Sequence, residues 1–183
     1  MCHCQINQAA CMQRLTEGNL ACDFSDAWQV TKYDDWGFYR NQFNGCCTGN
    51  KAMDFLGFDP QSRTLWMVEL KDFRQHQREK DKIPLWDEVA IKARDTLAGL
   101  FTAKVETGHH DHAFAQQSLT AARLRVVLHL EQPATHSRLF PRAYDPADVQ
   151  QKIKQLVKPI DAHPRVVELG SMHHVPWTAV SIP

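Results

Sequence analysis

Residues 51–73 read KAMDFLGFDPQSRTLWMVELKDF. Two apolar runs, 51–58 and 64–73, flank Asp59-Pro60-Gln61-Ser62. Proline presets the backbone at the second turn position and aspartate can bond its own backbone, so this is a turn with a mechanism. The two runs are expected to pair as a β-hairpin. Both are apolar on both faces, which implies a sheet covered on both sides.

Three charged residues interrupt these strands: Asp54, Glu69 and Lys71. A charge in a buried strand is unfavourable unless it is paired or bound to a metal. Side chains repeat every two residues along a strand, so Glu69 and Lys71 share a face, and the hairpin can bring Asp54 alongside. Two carboxylates, the backbone carbonyl of Leu70 and several waters would suit Mg²⁺ (or Mn²⁺). Such an ion would polarise a phosphodiester oxygen and lower the pKa of a bound water, while Lys71 would orient or activate that water and offset developing charge. A covered site can supply the pKa shift that a catalytic lysine needs to act as a base. The alternative is a surface hairpin whose charges face water.

Outward from the hairpin, the aromatic-rich segment 27–43 reads as a strand, or a short helix leading into a strand, and 5–15 as a short helix. A long helix is expected over 84–104, with Leu85, Val89, Ala93, Leu97, Leu100 and Phe101 as its apolar stripe. The loop containing His109-His110-Asp111-His112 follows, then a helical turn or two within 116–123, and a buried strand over 124–130. Asp145-Pro146 starts another helix, Asp as cap and Pro in the first turn, with Val149, Ile153, Leu156 and Val157 inward. Strands are expected at 165–169 and 177–182. The order places helices on the faces of a sheet: an α/β fold with a central mixed sheet, in a single domain spanning 1–183.

Asp54, followed after fourteen intervening residues by Glu69-Leu70-Lys71, resembles the signature of the PD-(D/E)xK phosphodiesterase superfamily, which includes restriction endonucleases and DNA-repair nucleases. The resemblance covers roughly residues 15–130. It implies a restriction-endonuclease-like α-β-β-β-α-β core, Asp54 and Glu69 as metal ligands, and Lys71 as the catalytic lysine. Met53 stands where the family's name has proline, and Asp59-Pro60 offers a second aspartate, but in the turn. Many members add a carboxylate from the first helix, for which Glu17, Asp34 and Asp35 are candidates. Arg74, Arg78, Lys80 and Lys82 follow the charged strand, either as phosphate contacts or as a solvated loop. Lys92, at the edge of the helix stripe, either reaches the sheet near the metal or snorkels to solvent.

Composition constrains the rest. Net charge is zero, so overall charge does not announce a nucleic-acid binder. Residues 1–60 carry Arg14, Lys32, Arg40 and Lys51 against Glu17, Asp23, Asp26, Asp34, Asp35, Asp54 and Asp59, leaving the remainder net positive. A local basic groove is compatible with that asymmetry. No apolar run reaches the length of a membrane span, and the N-terminal residues lack a basic head before an apolar block, so a cytoplasmic protein is expected. Its cysteines (Cys2, Cys4, Cys11, Cys22, Cys46, Cys47) are then expected as reduced thiols. Cys2-His3-Cys4 with Cys11 or Cys46-Cys47 departs from the usual zinc spacing. His173-His174 and the histidines around Asp111 read as loop residues, and His129 as a core histidine. No P-loop, dinucleotide turn or nucleophile elbow is present. The leading expectation is a metal-dependent nuclease acting on DNA, in phage defence or repair, as a homodimer or within a larger complex. The alternatives are a catalytically inactive nuclease-like module binding nucleic acid or a partner protein, and a zinc-binding interaction protein.

Overall fold

The computed structural model describes residues 12–76, 78, 82–133 and 142–183. The fold is α/β, with two sheets and flanking helices. Strands β1 (Met12–Glu17) and β2 (Leu20–Ser25) form an antiparallel hairpin that β8 (Thr178–Ser181) extends to three strands. The main sheet has five strands in the order β3 (Gln29–Lys32), β4 (Phe55–Asp59), β5 (Thr64–Asp72), β6 (Arg123–Glu131) and β7 (Arg165–Val167). Pairing is antiparallel from β3 to β5 and parallel from β5 to β7, so the expected mixed sheet is present. A parallel neighbour requires a long crossover. Here it consists of helices α1 (Leu85–Val105) and α2 (His112–Ser118). Helix α3 (Pro146–Val157) leads from β6 towards β7, and Asp145 Oδ1 caps it by accepting from the Ala147 and Asp148 amides.

The two-sided apolar pattern of the hairpin has its cause in this layering. Leu56, Phe58, Leu65 and Met67 pack with Leu85, Val89, Ala93, Leu100, Val149 and Ile153 on the helical face. Phe55, Val68, Leu70, Val127 and Val167 pack with Leu20, Cys22, Phe24 and Trp177 beneath the small sheet. The small sheet is the main departure from expectation. A strand at 178–181 is present, but it joins β2 rather than the central sheet.

Other expectations are corrected as well. The helix expected over 5–15 falls mostly outside the described residues, and its last four residues lie in β1. Glu17 ends a strand, so the first helix of an α-β-β-β-α-β core is not found among the described residues. Segment 27–43 runs in the order strand, then short helical turns (Tyr33–Asp35 and a π-type turn, Tyr39–Phe43). Tyr33, Trp36 and Tyr39 override β propensity here by turning their rings into the helical core. Phe101 (63% exposed) and Leu156 (46%) leave the stripes assigned to them: Phe101, one residue past buried Leu100, turns about 100° away from the buried face, and Leu156 lies at the margin of the face made by Val149, Ile153 and Val157. Gly99 permits the closest approach between α1 and the aromatic turns, since a Cβ there would lie 1.9 Å from the Tyr33 hydroxyl.

Candidate functional site: a buried carboxylate and lysine cluster

Helix α1 carries a polar stripe on its sheet-facing side: Glu88, Lys92, Asp95 and Thr96, spaced so that they share a face. Asp95 Oδ2 accepts from the Lys51 amide at 3.0 Å, and Thr96 Oγ1 from the Met53 amide at 3.0 Å. The Tyr33 amide donates to the Asp54 carbonyl at 3.0 Å. The segment entering β4 is thereby held by side chains on one side and backbone on the other, and this fixes Asp54 one residue before the strand.

The β4–β5 ladder ends at the Phe55–Val68 pair. Beyond it, Asp54 Oδ2 accepts from the Leu70 amide at 2.7 Å, a carboxylate replacing the missing strand partner. The amide and carbonyl of one strand residue point to the same edge, so the Leu70 carbonyl is directed to Asp54's side of β5. Lys92 Nζ stands between the two acids, 2.5 Å from Glu69 Oε1 and 3.4 Å from Asp54 Oδ1. Lys71 Nζ lies 2.7 Å from Glu69 Oε1 and 3.1 Å from Glu88 Oε1, and Arg78 closes the chain onto Glu88 at 2.5 Å. The three residues singled out in the sequence therefore lie in one network of alternating charge, running Asp54, Lys92, Glu69, Lys71, Glu88, Arg78.

Glu69 is fully buried, and burial, reinforced by Asp54, pushes its carboxyl up to about 7. Burial alone would push the Lys71 amine down, but Glu69 outweighs it and the net shift is upward. Lys92 likewise ends above its ordinary value, the pull of Glu69 and Asp54 exceeding the effect of burial. Glu88, although buried, is held down at about 2 by Arg78 and Lys71. An amine shifted upward stays protonated at neutral pH, which is the opposite of what a general base requires. Within this ion network the direction of the Lys71 shift is that of a fixed cation.

Asp54, Glu69 and the Leu70 carbonyl are the groups that could hold a hard cation, at the place where Lys92 Nζ stands between the two acids. Glu69 Oε2 is buried without a hydrogen-bond partner among the described residues. With Asp54 and the Leu70 carbonyl it offers an all-oxygen set of the kind Mg²⁺ takes while retaining waters. Among the described residues no group of three or more His, Cys, Asp or Glu gathers as a metal site. Of the N-terminal acids, Glu17 pairs with Lys32 and Asp35 with Arg40. Asp34 is pushed up to about 6 by burial and then by Asp54, and its Oδ1 is buried without a partner among the described residues. Asp34 is thus the candidate that feels the charge of Asp54.

Arg74 pairs with Asp72 and Arg78 with Glu88, so neither is an unpaired phosphate contact. Lys80, Cys2, His3, Cys4 and Cys11 lie outside the described residues. Cys22 is buried in β2, while Cys46 and Cys47 are exposed thiols. His129 is buried, its Nε2 2.8 Å from Glu131 Oε1, in keeping with a core histidine. Lys92 reaches the sheet rather than snorkelling to solvent, and Glu88, which the apolar pattern does not single out, joins the same network. The available signal is their four-residue spacing beside the apolar stripe of Leu85, Val89 and Ala93.

No family model and no solved structure matches the chain. The chain is 26% identical to the Cysteine--tRNA ligase of Neisseria meningitidis serogroup A / serotype 4A over 208 aligned positions, covering 91% of this chain and 30% of the ligase. The chain thus spans less than a third of that relative's length. The similarity is to part of an enzyme, but to a ligase. It overturns the expectation of a Mg²⁺-dependent DNA endonuclease of defence or repair, the inactive nuclease-like alternative, and DNA as the partner. The physical reason is that two acids and an amine on neighbouring strands are a general way to hold a hard cation beside a phosphate. They specify neither the bond that reacts nor the polymer that carries it. Among the described residues no helix is long and apolar enough to cross a membrane.

Proposed function

We propose that this chain is an aminoacyl-tRNA-synthetase-related module that engages tRNA, holding one RNA phosphate at the Asp54, Glu69, Lys71 and Lys92 cluster. The observation that carries it is the similarity to a tRNA ligase along 91% of the chain. The cluster supplies a mechanism. Asp54, Glu69 and the Leu70 carbonyl would hold Mg²⁺ or Mn²⁺, which would draw in a phosphate oxygen. Lys71, 21% exposed and protonated beside Glu69, offers a fixed positive charge to the same phosphate. The succession β3, β4, β5, α1, β6 supports reading the core as built on the PD-(D/E)xK, restriction-endonuclease-like plan, here as the scaffold of that phosphate site.

A purely structural reading has one observation in its favour: each of the six charged side chains in the network has an ionic partner. The unpartnered Glu69 Oε2 weighs against it, since a buried carboxylate oxygen left without a donor is destabilising in a network built only for the fold. Filter binding of tRNA and of a DNA duplex of similar length, at 0.15 M salt with and without Mg²⁺, tests the proposal. Expected are preferential retention of tRNA, strengthened by Mg²⁺, and at least tenfold weaker retention for Glu69→Gln. Equal or tighter retention of the duplex, or tRNA binding indifferent to both Mg²⁺ and Glu69→Gln, would overturn it.

A further inference from the structure

The opposite face of the main sheet carries a second constellation that the carboxylate cluster does not use. Side-chain alternation along β5 puts Glu69 and Lys71 on the helical face and Trp66 on the face beneath the small sheet. The parallel register sets Trp66 beside Arg125, and Val127 beside Arg165. Arg123 lies two residues before Arg125 on the same side of β6. Together with His163 and His174, these residues line a pocket of about 480 Å³, a volume in the range of small-molecule sites.

The pocket's charge is one-sided. Asp161 accepts from Arg125 at 2.7 Å and neutralises it. Arg123 and Arg165 have no ion-pair partner among the described residues, and no carboxylate lines the pocket. Two uncompensated guanidiniums converging on one concavity create a local positive field in a protein of zero net charge. Guanidinium forks match the oxygens of a phosphate in geometry as well as in charge. Trp66 lines the same pocket, held in place by Trp28 (6.2 Å between centroids, near-parallel) and Trp177 (5.3 Å, edge-on). Its indole Nε1 is buried with no hydrogen-bond partner among the described residues. A fixed indole beside paired cations is the combination that binds a base and its phosphate together.

We propose that this pocket is a nucleotide-phosphate site, with Arg123 and Arg165 on the phosphate and Trp66 against the base. It is separate from the carboxylate cluster and requires no divalent ion. The phosphate could arrive on a free nucleotide or at the end of an RNA strand, and the two sources are separable by experiment. The full chain, in EDTA, is titrated with inorganic phosphate, with AMP and with a fluorescent single-stranded RNA octamer bearing a 5′-phosphate. Saturable binding of AMP or the octamer, tighter than that of phosphate, is expected. Arg123→Ala and Arg165→Ala should each weaken it at least tenfold, while Lys104→Ala, which removes one exposed charge elsewhere, should leave it unchanged. Octamer binding much tighter than AMP assigns the site to an RNA end, and the reverse to a free nucleotide. Either result supports the site. Glu69→Gln should bind as the wild type does, so failure of the tRNA reading would leave this result standing. Absence of saturable binding, or equal loss with Lys104→Ala, would overturn the proposal.

Discussion

The two faces of the main sheet treat charge in opposite ways. On the helical face, Asp54, Glu69, Lys71, Lys92, Glu88 and Arg78 are interlocked and largely withdrawn from water. Beneath the small sheet, Arg123 and Arg165 line a pocket without ionic partners among the described residues. The first arrangement couples any binding event to the stability of the fold, because each charge is another's counter-ion. The second leaves the fold nearly indifferent to its cations, which are free to meet a ligand. Residues of one chemical type therefore differ in what their removal should do.

The largest effect is expected from Glu69→Leu. It strands Lys71 and Lys92 without their shared partner, and breaking a buried ion network on one side destabilises by about 3–5 kcal/mol. Urea unfolding should show a lower midpoint at unchanged slope. A loss below about 1 kcal/mol would mean that the network does not bear on the fold. Gly99→Ala comes next. The added methyl would collide with the Tyr33 hydroxyl, and overpacking of this kind destabilises by about 1–3 kcal/mol. An unchanged melting temperature would show that the aromatic turns yield easily.

Asp34 sharpens the comparison through pH. Its folded-state pKa, about 6, lies above the ordinary aspartate value of 3.8, so the native state holds its proton more tightly than the unfolded chain. Stability from this group is full at low pH and is lost as pH rises from about 4 to 6. Asp34→Asn should therefore stabilise the protein by about 1 kcal/mol at pH 8 and leave it unchanged near pH 3. That figure is reduced for solvent screening of a partly exposed carboxylate. A stabilisation equal at both pH values would remove the electrostatic explanation. The smallest effect belongs to Arg165→Ala, expected within about 0.5 kcal/mol of wild type by urea unfolding. A loss above about 2 kcal/mol would place Arg165 in the architecture and erase the contrast between the faces.

Local pattern determined a definite part of this molecule. The turn at 59–62, the two-sided apolar strands, α1, β6 and the capped start of α3 all follow from periodicity and turn chemistry, which act over a few residues. Three charges on apolar strands marked Asp54, Glu69 and Lys71 as a group, because uncompensated charge does not persist in a buried strand. Only the tertiary structure decided what surrounds them. Lys92 and Glu88 enter the network because α1 crosses the sheet there. β8 covers a face by pairing with β2 across more than 150 positions of sequence, and the arginine pocket draws on β5, β6, β7 and the segment before β8. Pairings over such separations depend on how whole elements dock, and no short window of sequence contains that information.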